Sequence, residues 1–219
     1  MLPFQRTVRR YVNSAAHTVS GGGGPTWTFG AGVTNNSGVF TSITVGSGIL
    51  VVSILEKSTT SSVAVSAVAF GATSLTKALD EPSSNPPWHS LWYGVVTGAT
   101  ATITITSAGG SIYECAISYG VLTNVTATPL PPQGAAASVT TTPNVTITVP
   151  STGIAITSIA SDRPLTGSWS GSTSNSATVL GGGTSETLLQ AHSTATGSIN
   201  PKFTGTNAWY SVVSAAWGP

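Results

Sequence analysis

The chain has 219 residues, 6% of them charged, with a formal net charge of +1; soluble domains carry about 25% charged residues on average. So thin and balanced a charge excludes nucleic acid as a partner, because phosphate binding needs a dense basic surface. The longest apolar run, Ile49 to Leu55 with Ser53 inside it, falls far below the ~18 residues a membrane-spanning helix needs. The length suits one large or two small domains and can bury a substantial core without staples. Cys115 is the single cysteine, so no internal disulfide and no thiolate metal cluster can form. Solubility rests on Ser, Thr, Asn and Gly, a surface that loses little when desolvated in a packed assembly.

Residues 1–24 read as a basic arm distinct from the body. Arg6, Arg9 and Arg10 interleave with Val8, Tyr11 and Val12, and Gly21 to Gly24 supply a flexible joint. The opening MLPFQRTVRRYVNSAAHTV is basic but lacks the continuous apolar core that precedes a small-residue cleavage site in a signal peptide. Arg6, Arg9, Arg10 and Tyr11 are the candidate partner-anchoring residues if the arm docks on a neighbouring subunit; the alternative is a solvated terminus.

From residue 25 to 219 the pattern is that of one all-β, antiparallel sandwich domain. Trp27 and Phe29 alternate in a first strand that ends at the Asn35-Asn36-Ser37-Gly38 turn. Ile43 to Leu55 follows, and its later half is apolar on both faces, as in a covered central strand. The phrase returns: ITVGSGILVVSIL (Ile43–Leu55) is echoed by ITVPSTGIAITSI (Ile147–Ile159), which predicts equivalent strands in each half. Ser62 to Phe70 forms a strand, Gly71 to Leu75 a turn, and Asp80 to Pro87 a proline-rich loop. Between Thr100 and Thr106 threonine holds every even position and Ala101, Ile103 and Ile105 the odd ones. After Ala108-Gly109-Gly110, Tyr113, Cys115, Ile117, Tyr119 and Val121 continue the odd, apolar set. These two runs predict a hairpin that pairs Ile105 with Tyr113 and Ile103 with Cys115. Thr128 to Gly134 (TPLPPQG) is either a linker between halves or a long connection across the sandwich, and the echo beyond it favours the connection. Ala177–Leu180, Thr184–Gln190 and Ala208–Trp217 are the remaining strands, with Gly181 to Gly183 turning between the first two. No 3.6-residue period persists for three turns, so no helix is expected.

No catalytic, cofactor or metal constellation emerges. His17, His89 and His192 are scattered, without H-x-H or H-E-x-x-H spacing. Asp80-Glu81 reads as a solvated loop pair, Glu114 as facing water or a subunit, Asp162-Arg163 as a local ion pair at a strand end. Cys115 reads as a small buried apolar residue. On the strand Trp88–Val96, Leu91, Tyr93 and Val95 share one face and Trp88 and Trp92 the other. Trp88 and Trp92 are therefore candidate surface aromatics, able to stack on a sugar or anchor a subunit, unless a loop covers them. Trp209 and Trp217 share a face of the last strand and read as core.

The phrases GILVVSI (Gly48–Ile54), VAFGATSLTKA (Val68–Ala78), HSLWYGVVTGATATITIT (His89–Thr106), AISYGVLTNVTATPL (Ala116–Leu130), GIAITSIASD (Gly153–Asp162) and AWYSVVSAAWG (Ala208–Gly218) resemble, in their order, a jelly-roll module of phage virion structural proteins that also occurs in bacterial surface proteins. The resemblance implies a jelly-roll sandwich used for attachment or decoration, with no catalytic residues. The expectation is thus a non-enzymatic phage virion protein on the particle surface, a capsid decoration or spike-type protein. Its partners would be the major capsid or other virion subunits, with itself as a homo-oligomer. The alternative is a carbohydrate-binding or adhesion module with a glycan as ligand.

Overall fold

Threonine and serine alternating with β-branched apolar residues suit a pleated surface with one wet face. The computed structural model describes residues 23–58, 64–81, 88–140, 144–161, 168–171, 173–174, 179–180, 187–204 and 208–219. Among them there is no helix, and every strand pair is antiparallel. Arg6, Arg9, Arg10, Tyr11 and the rest of the arm before Gly23 lie outside the described residues, as do Asp162-Arg163 and Gly181–Gly183.

The first strands are β1 (Thr26–Asn35), β2 (Val39–Val45), β3 (Gly48–Ser58), β4 (Val65–Phe70), β5 (Thr73–Glu81), β6 (Trp88–Val96), β7 (Ala99–Ser107) and β8 (Ile112–Thr123). They make one 8-stranded sheet in the order β1-β8-β3-β6-β5-β4-β7-β2, nearly closed on itself. Its inside is a core of Leu50, Val52, Ile54, Trp92, Ile103, Ile105, Cys115 and Ile117, among others. Cys115 is fully buried there, as its inward position predicts.

Ten strands follow: β9 (Leu130–Thr140), β10 (Ile147–Val149), β11 (Ile154–Ser161), β12 (Ser168–Ser170), β13 (Thr173–Ser174), β14 (Val179–Leu180), β15 (Thr187–Ser193), β16 (Gly197–Ile199), β17 (Lys202–Thr204) and β18 (Ala208–Trp217). They build a 6-stranded sheet, β13-β15-β11-β18-β9 with β14 on β15, and the pairs β10-β16 and β12-β17.

The second set repeats the first. The ladder β9-β18-β11-β15 reproduces β1-β8-β3-β6, and β10-β16 reproduces β2-β7. The pair β12-β17 stands where β4-β7 stands, because the strand equivalent to β7 is broken in two at Asn200-Pro201; proline has no amide to give a ladder. The echoed phrase occupies the same place in each half: a short strand, a turn, then a central strand (β3, β11). Ile49, Val51 and Leu55 of one copy and Ile154, Ile156 and Ala160 of the other point into a single shared core between the two large sheets. Packing across it is reciprocal: β5 meets β9 as β14 meets β1, and β6 meets β18 as β15 meets β8. That is the signature of a two-fold-related interface, here inside one chain.

Several expectations change. The hairpin of β7 with β8 does not form: β7 pairs with β2 and β4, and β8 with β1 and β3. Ile103 and Ile105 of one run and Cys115, Ile117, Tyr119 and Val121 of the other do enter one core, but from opposite walls, so Ile103 and Ile105 face Cys115 and Ile117 across it. Thr128–Gly134 is not a crossing within one sandwich; it joins the two strand sets and enters β9, a sheet edge where Pro131 and Pro132 are tolerated. Two sheets are too few, since the outer face of the second large sheet is itself capped by β10-β16 and β12-β17 over Ile147, Ile159, Phe203 and Tyr210. The echo's prediction of equivalent strands holds.

Leu91 is fully buried in the shared core, so Leu91→Ala should cost about 2–5 kcal/mol. Denaturant titration followed separately by near-UV dichroism and by amide exchange should show both halves losing stability together. Thr104→Ala, on an exposed face, should change it by less than about 0.5 kcal/mol.

Candidate functional site

Polar groups gather at three places, all set by strand register. The first lies inside the shared core. Ser53 and Ser158 hold the same position in the echoed phrase, and each points across to the opposite sheet. Gln190 Nε2 donates to Ser53 Oγ at 2.9 Å, and Ser118 Oγ donates to Gln190 Oε1 at 3.1 Å. His89 Nε2 stands 2.9 Å from Ser158 Oγ, and its Nδ1 lies 3.1 Å from the Ser211 carbonyl and 3.0 Å from Ser211 Oγ. A carbonyl only accepts, so Nδ1 carries the proton and Nε2 accepts from the Ser158 hydroxyl. All six side chains are fully buried. Burial pushes the His89 imidazole down to about 3, against a smaller upward pull from the Ser211 backbone. A serine and an imidazole at this distance are the start of a nucleophile–base pair. Here both ring nitrogens are occupied and both residues are sealed between sheets, so the arrangement acts as a neutral tie across the layer.

The second place is one end of the first core. Glu56 on β3 is flanked in register by Trp88 on β6 and Cys115 on β8. Glu56 is fully buried, yet neither carboxyl oxygen has a hydrogen-bond partner, and the buried Trp88 Nε1 has none either. Desolvation pushes the Glu56 carboxyl up to about 7; the Ser107 hydroxyl opposes this more weakly, being already given to the Gly109 carbonyl at 3.2 Å. The Cys115 thiol is pushed well up by burial first and then by Glu56 and Glu114. Buried carboxyls poised near neutrality mark sites more often than chance. Acid–base cleavage of a glycoside needs a second carboxyl on the same cleft, and the pleat turns neighbouring Glu114 to the opposite face from Cys115.

The third is a groove of ≈ 260 Å³ at the seam where the first sheet fails to close. β1 and β2 are its ends, each paired on one side only among the described residues. They touch near the turn, where the Asn35 side-chain amide donates to the Val39 carbonyl at 2.7 Å, and splay towards Thr28 and Thr44. Phe29, Tyr119 and Val121 line the gap, with Thr28, Thr44 and Ser47 at its rim. The Tyr119 ring lies over Gly30, where a Cβ would sit 2.3 Å from it and force the ring to move.

The sequence-predicted aromatics fare differently. Trp92 is 3% exposed and belongs to the first core, so it is not a surface contact; its indole N–H donates to Ser90 Oγ at 2.9 Å. The cause is that β6 is covered on both faces: Leu91 enters the shared core while Trp92 enters the first. Trp88 is half-buried at the strand start. Trp217 is core as expected, its ring edge-on to Tyr93 at 6.2 Å. Asp80 and Glu81 end β5 rather than forming a loop; Asp80 pairs with Lys77 at 2.8 Å, and Glu81 is buried, its carboxyl raised by desolvation and then by Asp80. Glu114 is likewise buried, at 5% exposed, and does not face water. His192 lies within β15 rather than after a strand. Sequence reasoning missed the Ser53/Ser158 tie, although a serine recurring inside both apolar echoes was its visible trace. Comparison with protein-family models, curated proteins and solved structures found no match.

Two pH predictions follow from these groups. Glu56 binds its proton more tightly folded than unfolded, so stability should fall as pH rises from 4.5 through about 7. Glu56→Gln should therefore gain on the order of 2 kcal/mol at pH 8 and little at pH 4, read from urea midpoints. His89 has the opposite sign: its folded value is lowered from 6.5 to about 3, so stability should fall as pH drops below 6.5. His89→Gln, which can still bond both serines, should flatten that acid limb in thermal melts.

Proposed function

We propose that the chain is a non-enzymatic structural protein of a phage virion, a duplicated jelly-roll unit that decorates the particle surface and is anchored through residues 1–24. The carrying observation is the strand order. In the first half β1-β8-β3-β6 lies opposite β2-β7-β4-β5, and the second half repeats the ladder β9-β18-β11-β15 with β10-β16 and β12-β17. Two interleaved four-strand sets of this kind support the jelly-roll reading, a frame that serves capsid and lectin domains. Outer faces support the decorating role: β2, β4 and β7 expose Thr41, Thr44, Ser66, Thr104 and Thr106, neutral groups that can be buried against another subunit at small desolvation cost. Decoration is argued from fold and surface, because the chemistry of the buried groups offers no turnover site.

The second reading, a carbohydrate-binding module, is favoured by one feature, the aromatic-floored seam groove beside Tyr119. With Trp92 buried, that groove is the place such a module would use.

Mass-spectrometric inventory of purified particles should find the chain in stoichiometric amount. Deleting residues 1–24 should abolish particle association while the strand dichroism of the body persists; normal coating by the truncated chain would overturn the anchoring role. Specific glycan-array binding that disappears in Tyr119→Ala would instead select the second reading.

A further inference from the structure

The duplication supplies an internal comparison for the seam groove. Register makes Thr28 equivalent to Leu130, since Thr28 opposes Val121 and Leu130 opposes Ala216, and Val121 and Ala216 face the equivalent residues Leu50 and Ala155. Gly46 and Pro150 both follow the echoed Ile-Thr-Val, and Thr123 and Gly218 follow Leu122 and Trp217, which pair with the equivalent Ile49 and Ile154 of the central strands. In the second half these three positions close on one another: a Cβ on Gly218 would lie 3.5 Å from Leu130 Cδ1 and 3.7 Å from the Pro150 ring. In the first half Thr28 and Gly46 flank open space, where a Cβ on Gly46 would meet nothing within 4 Å. The same corner is thus filled by side chains in one copy and left open in the other.

The two copies differ in what precedes them. The second is entered from β8 through residues 124–129, while the first is preceded by residues 1–22, which join the described chain at Gly23. Gly23 has φ +77°, a left-handed conformation that reverses a chain, and Thr28 on the groove wall is five residues on. The groove is bounded by two strand edges whose outer backbone groups pair with no strand among the described residues, and an extended segment can satisfy such groups by strand addition. Among the described residues no Asp, Glu, Lys or Arg lines it, so the groove favours an occupant that is uncharged where it seats. Within residues 1–22 the stretch Ala15-Ala16-His17-Thr18-Val19-Ser20 has no charged residue apart from a titratable histidine, and it lies just before the reversal.

We propose that the seam of the first half is the docking site for the chain's own Ala15–Ser20 segment, added in extended form along the free edge of β1. Three residues of the wall, Thr28 to Gly30, span about 10 Å, so three or four residues of the segment fill it. The converging ends of β1 and β2 then turn the preceding residues, with Arg6, Arg9 and Arg10, out of the seam. The basic stretch is thereby held at a fixed distance from the body.

Amide hydrogen exchange tests this on the full chain, on a chain lacking residues 1–20, and on full-length Val19→Asp. The β1 amides directed away from β8 should exchange at least about tenfold faster in both variants than in the full chain, with β9 amides unchanged. A synthetic peptide of residues 1–22 added to the truncated chain should restore the protection. Protection should also survive about hundredfold dilution of the full chain. Equal exchange of the β1 amides in full and variant chains would overturn the proposal. Protection lost on dilution would overturn it too, since the occupant would then be the segment of a second copy.

Discussion

The layer shared by the two large sheets is the constraint on which the remainder depends. A sheet packed on one side can keep the other wet, as β2, β4 and β7 do, but β3, β6 and β8 of the first large sheet and β11, β15 and β18 of the second are covered on both faces. The central strands β3, β6 and β11 therefore cannot alternate apolar with polar. They must be apolar throughout, or carry polar groups that are neutral and satisfied, because an unpaired polar group in such a layer costs a few kcal/mol. Ser53, Ser118, Ser158, Ser211, Gln190 and His89 meet that demand together. Hydrophobic area holds the sheets together without direction; these directed bonds fix how one sheet sits on the other.

Within that layer the two copies have kept their geometry and changed their chemistry. The serine of the echoed phrase is present in both, and in both it bonds to the strand opposite. Its partner is Gln190 on β15 in one case and His89 on β6 in the other, and these do not occupy equivalent register positions. A true homodimer would be bound to place identical groups about its axis. A fused pair is released from that condition, and can afford one imidazole where a symmetric pair would bury two. The broken equivalent of β7, the filled corner at Pro150 and the open seam at Gly46 are further products of the same freedom.

How much of this could be read from the chain follows from what a period of two encodes. It reports which side chains share a face, so the inward set Ile103, Ile105, Cys115 and Ile117 was legible in the sequence, and with it the all-β class. It does not report which strand lies alongside, so β7 and β8 look like a hairpin although Ala108–Gly110 carries the chain from one wall of the core to the other. Trp92 misleads for a related reason: opposite Leu91 on a strand that is covered twice, the outer face of one core is the inner face of the next. Only long-range pairing creates that second core, and the echo at Ile147–Ile159 was its sole trace. The polar tie was hidden because serines 105 positions apart in the alignment of the two phrases become neighbours of the opposite sheet only after folding.

Glu56 stands apart from this economy. The serines, Gln190 and His89 of the shared layer are partnered, yet in the adjoining core a carboxyl and an indole N–H remain without hydrogen bonds, side by side in register. A glutamate equivalent to it is absent from the second copy, where Ser161 takes the position, so the fold itself does not need a carboxyl there. Its neutral form is the stable one up to about pH 7, which makes the first core weaker in neutral and alkaline medium than in mildly acid medium. The burden falls at the end of β3, away from the shared layer. An ionisation there loosens the end of the first strand set and leaves the register of the two sheets intact.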